Sequence, residues 1–107
     1  MRNSTASLCV RRFMSKPPSE IDGAKVIEWA WSGSEPFGVV CFGSGEVSAE
    51  IYGLAICRYS GSDKIYRISC DSEWESEQDS DYNSISEAKE NLPSQYKNVE
   101  AIWQKYE

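Results

Sequence analysis

The chain has 107 residues, with four tryptophans, six tyrosines, three phenylalanines and no histidine, and a formal charge of −6. One domain is expected at this length, and a 40% hydrophobic content argues against disorder of the whole chain. No apolar run approaches the roughly 20 residues of a membrane helix. The lack of histidine removes Ser–His and Cys–His nucleophile pairs and every histidine-ligated metal centre. The acidic balance disfavours nucleic acid or an anionic membrane as a direct partner and favours a basic one.

Met1 to Val10 carries one basic residue and no apolar stretch of the kind a secretory leader needs, so a cytoplasmic protein is expected. Residues 1–23 read as an arm with an early strand around Ser7–Phe13 and then a loop broken by Pro17 and Pro18; residues 24–107 read as the core. Arg11-Arg12 reads as a solvated basic pair. Ile27, Trp29 and Trp31 alternate with Glu28, the pattern of a half-buried strand. Phe37–Phe42 is a short apolar strand closed by Gly43-Ser44-Gly45, and Val47–Tyr52 is a third strand, with Gly53 marking a bulge or break.

Leu54–Tyr59 and Ile65–Cys70 flank Ser60-Gly61-Ser62-Asp63-Lys64 and read as a β-hairpin. The connections are too short for parallel crossovers, so the sheet is antiparallel. Ser84 and Glu87 have capping-box spacing, predicting a helix through Ala88 and Leu92 that Pro93 stops. Val99–Tyr106 fits either a strand or a second helix, with a last short strand preferred. The expected architecture is α+β: one small domain with a meandering antiparallel sheet and one helix, or two, packed on it.

Cys9, Cys41, Cys57 and Cys70 contain no CxxC pair and read as reduced cysteines, with neither a zinc nor a redox site. The glycine-rich pieces lack phosphate-loop and dinucleotide spacings and read as turns. Trp29, Trp31 and Trp103 read as core.

Asp71, Glu73, Glu75, Glu77, Asp79 and Asp81 occupy every second position of an eleven-residue stretch, with no lysine or arginine between them. Residues 1–50 carry 5 basic and 6 acidic side chains, residues 51–107 carry 6 and 11, so the charge concentrates in the second half. On an extended chain alternate side chains share a face, roughly 6.6 Å apart. That spacing approximates the repeat of an extended polynucleotide backbone and offers a basic groove a phosphate-like row. Trp74 and Tyr82 would supply apolar anchors. The competing reading is a solvated acidic loop with no special role, since like charges on one face repel.

A calcium loop is a further alternative. Asp79, Asp81, Asn83 and Glu90 stand at relative positions 1, 3, 5 and 12 of such a loop, but Ser84 occupies the sixth position, where glycine is needed. Carboxylates in an exposed row lack the apolar surroundings that tune an acid–base pair. No enzyme, cofactor or metal is therefore expected.

Taken together, the hairpin of residues 53–71, the acidic, Trp-bearing stretch 72–82 and the helix with its following proline over 84–96 resemble bacterial immunity proteins. The nearest type is the immunity partner of a contact-dependent growth-inhibition toxin. The resemblance spans about residues 24–107, and no family site residues transfer position by position. It implies a bacterial cytoplasmic antitoxin that pairs, most simply as a 1:1 heterodimer, with a cognate basic toxin domain, many of which are RNases. The expected toxin-binding residues are then Asp71, Glu73, Trp74, Glu75, Glu77, Asp79, Asp81 and Tyr82. An acidic or calcium-responsive protein-binding module without a toxin partner is the alternative.

Overall fold

Asp22 and Gly23 both have left-handed backbones, with φ of 53° and 85°. Two such residues in succession make the tight turn whose twist matches antiparallel strands. They join β1 (Glu20–Ile21) to β2 (Ala24–Trp31), with Ile21 opposite Ala24. A computed structural model describes residues 15–41 and 45–107. The early strand expected around Ser7–Phe13 lies outside the described residues, as does Cys9.

After β2 the chain leaves the main sheet. Among the described residues, β3 (Gly38–Cys41) and β4 (Val47–Ile51) pair with each other alone, as a separate two-stranded sheet. This pair stands apart from the meander, which runs through β2, β5, β6 and β7. Phe37 and Ile51, both buried, root this hairpin beside Leu54 and Tyr96. At Tyr52 the chain re-enters the main sheet, its N–H donating to the Cys70 carbonyl at 2.9 Å.

β5 (Gly53–Arg58) and β6 (Ile65–Cys70) form the predicted hairpin, and β7 (Ser76–Tyr82) follows antiparallel to β6. Among the described residues the sheet runs β1-β2-β5-β6-β7, with β7 at its edge. β8 (Gln104–Lys105) pairs with β2 alongside β1, giving the expected last short strand. The fold is α+β, dominated by antiparallel strands.

The predicted face of β2 needs correction. A bulge between Val26 and Glu28 shifts the register, so Val26, Trp29 and Trp31 share one face while Ile27 packs on the other with Ile56 and Ile65. The first face holds Ala55, Cys57, Ile68, Cys70 and Trp74 as well.

The helix covers the opposite face. Helix α1 (Ile85–Glu90) starts as predicted: Ser84 Oγ accepts from Glu87 N–H at 3.1 Å. The Glu87 carboxylate reaches back to Asn83 N–H at 2.8 Å. The helix ends at Asn91, short of Leu92. Ala88 is fully buried against Ile56 and Ile65. Lys89 forms a 2.8 Å ion pair with Glu28, a β2 carboxylate only 9% exposed. Beyond the helix the chain is irregular, but Val99, Ala101 and Trp103 pack inward while Ile102 is exposed.

Candidate acidic interface

The six alternating carboxylates do not form one row. Asp71 is spent inside a turn, its Oδ1 accepting from the N–H groups of Glu73 at 2.8 Å and Glu75 at 3.0 Å. Such self-bonding is what a short carboxylate does at a chain reversal. The turn is closed by Trp74 N–H to Asp71 C=O at 3.2 Å and Asp71 N–H to Glu75 C=O at 3.0 Å.

Trp74 sits in this turn with φ of 63°, a costly backbone for an aromatic residue, so packing must hold it. Its ring lies edge-to-face with Trp29 at 6.3 Å and tilted against Trp31 at 5.6 Å. Its Nε1 donates to Ser15 Oγ at 3.3 Å. At 8% exposure Trp74 is a core residue of the unbound protein, not a projecting anchor.

Glu73 and Glu75 remain exposed on the turn. Glu77 sits in the β6–β7 bulge, and past it Asp79 and Asp81 project from one face of β7, with Asp79 opposite Ile68 and Asp81 opposite Tyr66. Asp81 is bridged to Lys64 at 3.3 Å, both side chains about half exposed. Among the described residues, Glu73, Glu75, Glu77 and Asp79 form no ion pair within 4 Å. The acidic surface is therefore a bent patch of exposed turn plus strand.

The other face of β7 is tied to the protein. Arg67 of β6 is 1% exposed. Its guanidinium donates to Tyr82 Oη at 3.0 Å, Asn91 C=O at 3.3 Å and Ser80 Oγ at 3.4 Å. It also lies over the rings of Tyr82 and Tyr96, at 5.9 and 6.0 Å. A buried guanidinium is costly unless hydrogen-bonded and electrostatically balanced. Among the described residues it forms no ion pair, and its Nε lacks a partner. The Tyr96 hydroxyl lies 3.0 Å from Ser69 Oγ and 3.4 Å from Gln78 Oε1. Burial pushes its pKa up, against a smaller opposing effect of the Ser69 hydrogen bond.

Tyr82, read from sequence as an anchor, is half-buried and its hydroxyl donates to Asn91 C=O at 3.2 Å. Arg67 is the residue that sequence reading missed. Its signal was a cation at an inward position of the apolar run IYRISC.

The calcium-loop spacing is not realised, because Asp79 and Asp81 lie on an extended strand while Glu90 ends the helix. Among the described residues no group of three or more acidic or cysteine side chains is placed to hold a metal. Cys57 and Cys70 are buried free thiols and Cys41 an exposed one. Two open clefts of about 540 and 550 Å³ are lined by neither the turn nor β7.

No family model, curated protein or solved structure matches the chain. No described helix is long and apolar enough to cross a membrane.

Proposed function

We propose that the protein is a non-enzymatic immunity protein that binds and neutralises a cognate basic nuclease toxin, an RNase by preference. The exposed acidic patch of Glu73, Glu75, Glu77 and Asp79 carries this reading. These carboxylates stand without ion-pair partners among the described residues, in a chain of net charge −6. Charges kept unpaired and on one side repel each other in the free protein. A complementary cationic surface relieves that repulsion and speeds encounter. A nuclease cleft that accepts a polynucleotide backbone is such a surface, and carboxylates placed in it block substrate.

The sequence resemblance to immunity proteins of contact-dependent growth-inhibition systems supports the same reading and a cytoplasmic location. Trp74 and Tyr82 act here by shaping the patch. Trp74 fixes the turn from within, and Tyr82 joins Arg67 in fastening β7 from below.

Co-expression tests the function. The product of the adjoining reading frame, produced alone, should arrest growth, and co-production of this chain should restore it. Growth arrest that persists despite soluble immunity protein would overturn the proposal.

A further inference from the structure

β7 is the longest strand edge left open among the described residues. It spans seven residues and, among the described residues, pairs with β6 alone. The opposite edge of the main sheet is broken into short pieces, since the two-residue strands β1 and β8 lie end to end along β2. On an edge strand every second residue directs its N–H and C=O outward, a template for another strand. Natural sheets blunt such edges with proline, shortness, charge or a bulge; β7 has no proline, its bulge lies at its first residues, and its charges are all of one sign, which repels a second acidic strand but not a basic one.

The side chains decide which strand fits. A second copy of β7 would set Glu77, Asp79 and Asp81 against like charges, which opposes self-pairing. An extended segment with lysine or arginine at alternate positions would place cations beside these carboxylates while its backbone pairs with β7. The strand is also braced for this. Gln78, Ser80 and Tyr82 on the far face engage Tyr96 and Arg67. The edge is therefore held extended before any partner arrives, which reduces the ordering cost of association.

We infer that β7 binds its partner by strand addition: a basic, extended segment of the partner becomes the next strand of the sheet beyond β7. This rests on the reading of the protein as the acidic member of a complex. It adds that backbone pairing, and not side-chain charge alone, makes the contact.

The probe is a synthetic eight-residue peptide of alternating lysine and threonine, with a twin N-methylated at alternate residues so that one edge cannot donate. Calorimetry at low salt should show the first binding and the twin weaker by at least about tenfold, the loss expected from removing two or more backbone hydrogen bonds. Hydrogen exchange should show alternate amides within 76–82 gaining protection when the unmethylated peptide is bound. Equal affinity for both peptides, with exchange in β7 unchanged, would overturn strand addition while leaving the acidic-partner reading in place. Failure of the unmethylated peptide to bind would count against both strand addition and the acidic-partner reading. Outward amides already protected in the unbound protein would overturn the inference, because the edge would then be occupied from within the chain.

Discussion

The ring of Trp74 occupies the space a side chain on residue 53 would need: a Cβ at Gly53 would lie 2.5 Å from Trp74 Cζ3. The chain thus has no side chain at the start of β5 where the acidic turn must fold back onto the sheet. This contact lets Trp74 pack onto the sheet beneath the turn that the Asp71 hydrogen bonds close.

The pairing sets up a mutant cycle. Gly53→Ala should lower stability by about 1–3 kcal/mol through overpacking. Trp74→Ala should cost about 3–5 kcal/mol through the lost ring. The double variant should cost clearly less than the sum, because the alanine methyl fills space the ring has left. Urea unfolding measures all three, and strict additivity would show that the two residues do not compete for one space.

Glu28 and Lys89 fasten α1 to β2 at 2.8 Å. Lys89→Met leaves a carboxylate that is 9% exposed without its cation. A loss of about 1–3 kcal/mol is expected, since the residual cost is that of a stranded polar group near the surface. Lys89→Arg should recover most of it. Thermal unfolding distinguishes these variants, and a stability of Lys89→Met equal to the parent would remove the pair from the account.

The thiols predict a pH dependence. Burial, helped by the Asp22 carboxylate, pushes the Cys57 thiol up to about 12, and burial raises Cys70 as well. The folded protein therefore keeps protons that the unfolded chain releases from about pH 8.5 upward. Stability should be intact below that pH and should fall as pH rises toward about 12. At about pH 8 a thiol reagent should label Cys41 readily and leave Cys57 and Cys70 unmodified until denaturant is added. Peptide mapping reads the pattern, and rapid labelling of Cys57 in the native protein would contradict it.

The acidic patch should cost the free protein stability. Neutralising Glu75 and Glu77 together, as Glu75→Gln and Glu77→Gln, should raise the urea midpoint at low salt. The gain should vanish at about 1 M NaCl, where the Debye length is about 3 Å. A midpoint unchanged or lowered at low salt would mean that the carboxylates do not strain the unbound protein.

Local chemistry made part of this fold legible. Ser60-Gly61-Ser62 announced the β5–β6 hairpin, and Ser84 with Glu87 announced the start of α1. Asp22-Gly23 carries an equally strong turn signal, but β1 is too short for any periodicity to mark it as a strand. The departure of β3 and β4 into their own sheet is decided at Tyr52 by distant packing of Phe37, Ile51 and Tyr96, which no local pattern encodes. The bulge in β2 reassigned Ile27 for the same reason.

The candidate site was half legible. Period-2 charge matches the register at Asp79 and Asp81, which share one strand face. It did not show that Asp71 would turn its carboxylate onto its own backbone. Nor did it show that Trp74 would leave the row for the core, since both outcomes depend on Gly53, Trp29 and Trp31.

The most direct test of the central claim is calorimetric titration of the cognate toxin domain with the parent and with a variant carrying Glu75→Lys, Glu77→Lys and Asp79→Lys, after circular dichroism has shown the variant folded. An affinity loss of at least about a hundredfold is expected, as when close charge pairs at a contact are reversed. Undiminished affinity in the folded variant would place the contact elsewhere and contradict the acidic edge as the binding surface.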